Sequence, residues 1–166
     1  MNVIVMTSMS LLTFKILKFN NLVDSLIALF ILYFSEIIII ELLLGIMGKL
    51  YLQNIIFLSL AILLIIWLIS RTKESSLDFL GARKALFGLL NNRFILLGTC
   101  VILGFGITKV FVNLVNPPFG WDSLNYHFTF PVEWMKNGNL NNPIVVNDDP
   151  FPTYYPINGS LLFLWL

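Results

Sequence analysis

The sequence predicts an all-α, polytopic integral membrane protein, and three observations carry that prediction. Of its 166 residues, 58% are hydrophobic and only 11% are charged, whereas a water-soluble domain needs about 25% charged residues to cover its surface. Three apolar runs have close to the roughly 20 residues that cross a hydrocarbon core as a helix. The remaining charges are sorted, with basic residues in one connecting loop and acidic ones in another, as on opposite sides of a membrane. A net charge of +1 offers no basic field, so nucleic-acid binding is not expected.

The elements follow in order. Residues 1–22 place their apolar part before Lys15 and Lys18. A signal peptide has charge first and a small-residue cleavage site last. This stretch is therefore expected to stay attached, as an interfacial segment with both lysines at the headgroups. The three spans are expected at about 23–47, 53–70 and 94–115. A fourth apolar run opens at Gly159 with SLLFLWL. As a helix, residues 159–166 would rise only about 12 Å, less than half of the core. The chain is thus expected to be the N-terminal part of a larger protein.

Charge bias sets the expected orientation. Loop 71–93 holds Arg71, Lys73, Arg83, Lys84 and Arg93 against Glu74 and Asp78. Segment 116–158 holds Lys136 against Asp122, Glu133, Asp148 and Asp149. The excess of basic residues places the N-terminus and loop 71–93 in the cytoplasm, and loop 116–158 outside. Within loop 71–93, LDFLGARKALFGLL reads as an amphipathic helix on the inner leaflet, with Arg83 and Lys84 toward lipid phosphates.

Three ionisable residues interrupt the spans: Glu36 and Glu41 in the first, Lys109 in the third. Such groups cost about 2.5–3.5 kcal/mol or more each, so they are usually paired, neutralised or functional. Glu41 and Lys109 each lie six residues before the outer end of their span, about 9 Å below the same interface at 1.5 Å per residue. They are expected to form a structural ion pair. Glu36 has no partner of matching depth; it is expected to be neutral or to meet a helix beyond this chain. Cys100, the only cysteine, lies in an apolar run and reads as a small buried hydrophobe.

Loop 116–158 is long and aromatic. Pro117 and Pro118 end the third span, and Asp122 stands at a helix N-cap position before SLNYHFTF. Pro131 either kinks that helix or opens a second one, PVEWMK, as its first residue. Glu133 would fall in the first turn, Lys136 in the last, and Asn137-Gly138 would end it. Phe128, Phe130, Trp134 and Met135 suit helices lying on the outer leaflet. Two readings stand on these residues alone. Asp122 caps a helix, with Trp121, Tyr126, Trp134 and His127 as interfacial residues; or Asp122, Tyr126 and His127 act on a lipid-linked substrate. Asp148-Asp149, inside NDDPFP, offers two carboxylates to a metal but reads better as a turn.

WDSLNYHFTFPVEWMKNG, followed by YYPINGSLL, resembles the first large outer loop of bacterial polyprenyl-phosphate-sugar-dependent glycosyltransferases of the GT-C fold. The branch it is most similar to is related to protein mannosyltransferases and aminoarabinose transferases. The matching positions are Asp122, Tyr126-His127, Trp134, Gly138 and Tyr155-Pro156, within about residues 112–166. Two departures stand out: Ser123 follows Asp122 where better-known relatives carry a second acid, and three spans precede the loop where most have one.

The resemblance implies a GT-C-like helical bundle with interfacial helices in this loop. It also implies sugar transfer from a polyprenyl-phosphate donor to an acceptor outside the bacterial cytoplasmic membrane, with membrane lipids as surroundings. Asp122 would be catalytic, and Tyr126, His127, Glu133 and Tyr155 would bind substrate. A divalent cation at the phosphate, with Asp122 as a ligand, is the one cofactor it suggests. The competing functions are a multi-span transporter or flippase, and a non-catalytic scaffold whose outer loop binds a partner.

Overall fold

Long apolar segments with few helix breakers satisfy their backbone polar groups internally by forming helices, the only local structure that does so without water. The computed structural model of the protein describes residues 1–19, 21–75, 81, 84, 87–88, 91–116, 127–141 and 158–165. Among them the structure is all-helical, without strands. The helices are α1 (Asn2–Leu11), continued by one π-helical stretch (Leu12–Leu17), then α2 (Leu22–Ile46), α3 (Leu52–Ser70), α4 (Arg93–Val115), α5 (Thr129–Asn137) and α6 (Asn158–Trp165). Helices α2, α3 and α4 are long and apolar enough to cross a membrane. The amphipathic helix expected in loop 71–93 falls largely outside the described residues.

The helix ends are built from side chains and turns. Asn21 Oδ1 accepts the Val23 amide at 2.9 Å, capping α2, and Asn92 Oδ1 accepts the Phe94 amide at 3.0 Å, capping α4. Asp24, in the first turn of α2, complements the helix dipole. At the far end of α2, Gly48 sits at φ +67. The Gly48 amide donates to Gly45 O (3.2 Å) and the Lys49 amide to Leu44 O (2.8 Å). This is the paired bonding of a Schellman stop, which needs the left-handed residue that glycine supplies without a Cβ penalty. Hydroxyls within the helices bond back to the preceding turn, Ser59 to Ile55 O and Thr108 to Gly104 O, each at 2.8 Å.

The chain divides into two compact units. One holds the described residues of 1–75 and 127–165. Its core is one face of α2 (Ile37, Ile40, Leu44) with Ile55 and Ile66 of α3, Val5 and Met9 of α1, Phe130 and Trp134 of α5, and Leu161, Leu164 and Trp165 of α6. Helix α1 packs on both α2 and α3, and α6 packs on α2 and α5. The N-terminal stretch, expected at the headgroups, thus supplies part of the core. Asn2 Oδ1 accepts from Tyr33 Oη (3.0 Å) and from Trp165 Nε1 (2.6 Å), joining α1, α2 and α6.

The other unit holds the described residues of 81–116, dominated by α4. No residue of α4 is buried. Cys100, expected to be buried, is exposed, as is most of α4. Lys109 Nζ lies 5.5 Å from the Phe105 ring centroid, one turn away, a favourable cation–π placement.

Candidate functional site

The segment 127–141 carries what the structure describes of the aromatic and polar cluster, and it is fixed at both ends. At its start, half-buried His127 places Nδ1 3.3 Å from the Oγ of buried Ser160, in the first turns of α6. Its ring also lies against Phe163, with centroids 5.6 Å apart, while Phe128 meets the same Phe163 ring edge-on at 5.0 Å. Residues Ser160 and Phe163 are three apart, so they project from one face of α6.

Helix α5 then runs from Thr129, two residues before Pro131. Pro131, expected to kink a helix or to open one as its first residue, occupies the third position of α5; the helix it would have kinked falls largely outside the described residues. The first four amides of a helix have no intrahelical partner, so proline's missing N–H costs nothing there. Glu133, expected in the first turn, is consequently two residues deeper, in the second turn, and pairs with Lys136 at 2.9 Å, the side chains being 36% and 65% exposed. An exposed pair of this kind contributes only about 0.3–0.5 kcal/mol. Phe130 and Trp134 were expected to lie on the outer leaflet, yet both are buried in the core. Trp134 meets its polar requirement internally, donating from Nε1 to Asn141 O at 3.1 Å. Phe128 and Met135 stay on the exposed side.

The far end of the segment docks on the turn between α2 and α3. Gly138 ends α5 in the left-handed region at φ +69, as the Asn137-Gly138 pair predicts. Its carbonyl accepts the amide of fully buried Leu50 at 2.7 Å. The Tyr51 ring covers Gly138 so closely that a Cβ there would overlap it. Leu140 likewise covers Gly45, leaving no room for a Cβ on α2. Two glycines on separate elements thus allow the close approach. The segment is clamped between α6 and the α2–α3 turn.

Of the residues expected at the site, His127 and Glu133 are placed as above. Asp122, Tyr126 and Tyr155, with Asp148 and Asp149, lie outside the described residues. Among the described residues, no three His, Cys, Asp or Glu side chains come together as metal ligands, and Asp122, the expected ligand, is not among them. Glu41 and Lys109 belong to different units; Glu41 is fully buried, and neither of its carboxyl oxygens has a hydrogen-bond partner among the described residues. Glu36, for which no partner of matching depth was expected, has one in this chain: Ser8 Oγ donates to its Oε2 at 2.6 Å. Ser8 escaped sequence reading because it lies 28 residues away, on a stretch expected at the membrane surface. A groove of about 310 Å³ between α1 and α2, lined by Asn2, Val3, Met6, Thr7 and Tyr33, contains none of the expected site residues.

No family model, curated protein or solved structure matches the chain.

Proposed function

We propose that the chain is the N-terminal part of a membrane glycosyltransferase of GT-C type. It would move a sugar from a polyprenyl-phosphate-linked donor to an acceptor on the outer face of the bacterial cytoplasmic membrane. The observation that supports this reading best is the clamped segment 127–141. A residue that must meet a lipid-linked sugar needs a rigid mount at one end of a helical bundle, and two independent contacts hold this segment: His127 to Ser160 and Gly138 to Leu50. In the sequence Asp122 lies five residues before this segment. In this reading Asp122 takes the proton of the acceptor hydroxyl as that oxygen bonds to the anomeric carbon and the phosphate leaves. Tyr126 and His127 hold the phosphate end of the donor, and Glu133 and Tyr155 line its path.

The test is transfer of radiolabelled sugar from a polyprenyl-phosphate donor by the full-length protein in membranes. Asp122→Asn should lower the rate by about 10²–10⁴-fold, the usual worth of a general base, while expression and thermal stability stay unchanged. Unchanged transfer by that variant would refute the assignment.

One observation favours a second reading, a transporter or flippase. Helix α2 buries two acidic residues, Glu36 and Glu41, and ionisable groups inside spans mark ion or substrate pathways. Loss of substrate movement in Glu36→Gln, with Asp122→Asn fully active, would select that reading.

A further inference from the structure

Glu41 lies at the centre of an apolar stripe. Ile37, Ile40, Glu41 and Leu44 follow the i, i+3, i+4, i+7 spacing of one helix face, and all four are buried. The Glu41 side chain therefore points into the bundle, where it is 0% exposed and neither oxygen has a hydrogen-bond donor among the described residues.

The elements around it offer little to balance a negative charge. Helices α3 and α6 contain no acidic, basic or histidine residue. Helix α1 and its π-helical extension contribute the N-terminal amine, Lys15 and, at their end, exposed Lys18; α2 adds Asp24, Tyr33 and Glu36, and the α2–α3 turn adds Lys49 and Tyr51, both exposed. The docked segment adds Glu133 and Lys136, which pair with each other, and His127, set against Ser160 and Phe163. An ionised carboxylate lacking both a cation and donors carries an uncompensated desolvation penalty, which a neutral carboxylic acid avoids.

We propose that Glu41 is a proton-binding site inside the membrane, standing in α2 as a carboxylic acid. A metal ion needs several oxygen ligands around it, and among the described residues no cluster of potential ligands is present. A proton needs none: it bonds to one carboxyl oxygen and requires no space. It is the one ligand that an enclosed carboxyl without a partner among the described residues can take. This inference is independent of the transferase reading and holds equally for a transporter.

The experiment is infrared difference spectroscopy on the full-length protein in nanodiscs at neutral pH, comparing Glu41→Gln with wild type. The expected result is loss of one carboxylic-acid C=O stretching band, which in the wild type shifts to lower frequency in D2O. Glu41→Asp keeps the acid and should move that band without removing it, which serves where the glutamine variant is not recovered. Lys109→Met should leave the band intact. Loss of carboxylate stretching bands in Glu41→Gln would overturn the proposal. So would an acid band that appears only once Lys109 is replaced, since Glu41 would then be the ionised partner of Lys109 expected from their matching depth.

Discussion

The contact between Gly45 and Leu140 permits a prediction in which the sign of one substitution depends on another residue. Glycine inside a helix is about 1 kcal/mol less favourable than alanine, so Gly45→Ala should stabilise α2 taken alone. The structure says otherwise for the docked protein. A Cβ at Gly45 would overlap Leu140 Cγ and Cδ1 and come within 3.3 Å of its Cβ. The Cγ and Cδ1 overlaps carry the clash, so the half-buried Leu140 side chain must leave its place, whereas its Cβ need give by only a few tenths of an ångström. Overpacking of this kind costs about 1–3 kcal/mol, which exceeds the propensity gain over most of that range.

The Leu50 amide reports the docking directly, since it donates to Gly138 O two residues before Leu140. Hydrogen exchange read at Leu50 should accelerate by about 5- to 150-fold in Gly45→Ala, the equivalent of 1–3 kcal/mol. Leu140→Ala loses contacts of a half-buried side chain, about 1–2 kcal/mol, below the range for fully buried leucine. In that background, Gly45→Ala should become neutral or stabilising by up to about 1 kcal/mol. Strict additivity of the two substitutions, or unchanged Leu50 exchange in Gly45→Ala, would refute the docking geometry.

Two further predictions concern stability, read as thermal unfolding of the detergent-solubilised protein. Gly138→Ala should destabilise by about 1–2 kcal/mol, the cost of a left-handed non-glycine residue; Tyr51→Ala should not rescue it, because the exposed ring can swing aside whereas the φ of +69 remains. Ser8→Ala should cost about 1–3 kcal/mol by leaving both oxygens of Glu36 without a donor; adding Glu36→Leu should recover part of that loss, since both polar partners then leave together. Equal stability of Ser8→Ala and wild type would show that the Ser8–Glu36 bond is not formed.

The three spans were legible because hydropathy over about 20 residues is a local property. Their expected starts at 23, 53 and 94 fall one residue inside the observed starts at Leu22, Leu52 and Arg93. The stop at Gly138 was legible for a similar reason, as a left-handed cap needs a particular residue type. What failed to read depends on contacts between distant residues. Apolar α1 looked like a surface segment because nothing local distinguishes lipid from α3 as its neighbour. Trp134 matched an interfacial belt until Asn141 turned back to accept its N–H. Pro131 marked a helix start correctly in kind, but the free amides of a first turn admit proline at more than one position. Of the candidate site, His127 and Glu133 were legible as residues, while the Ser160 and Lys136 contacts that orient them were not; the Glu133 register followed from the misplaced start of α5.

The transferase reading requires that the clamped segment face away from the cytoplasm, and cysteine accessibility measures this most directly. In a Cys100→Ser background, which removes the only native thiol, Lys136→Cys places a thiol on the exposed side of α5, and Lys73→Cys places one in the exposed turn after α3. A membrane-impermeant maleimide added to intact cells should label Lys136→Cys, and should label Lys73→Cys only after permeabilisation. The reverse pattern would put the segment in the cytoplasm and contradict the proposed function.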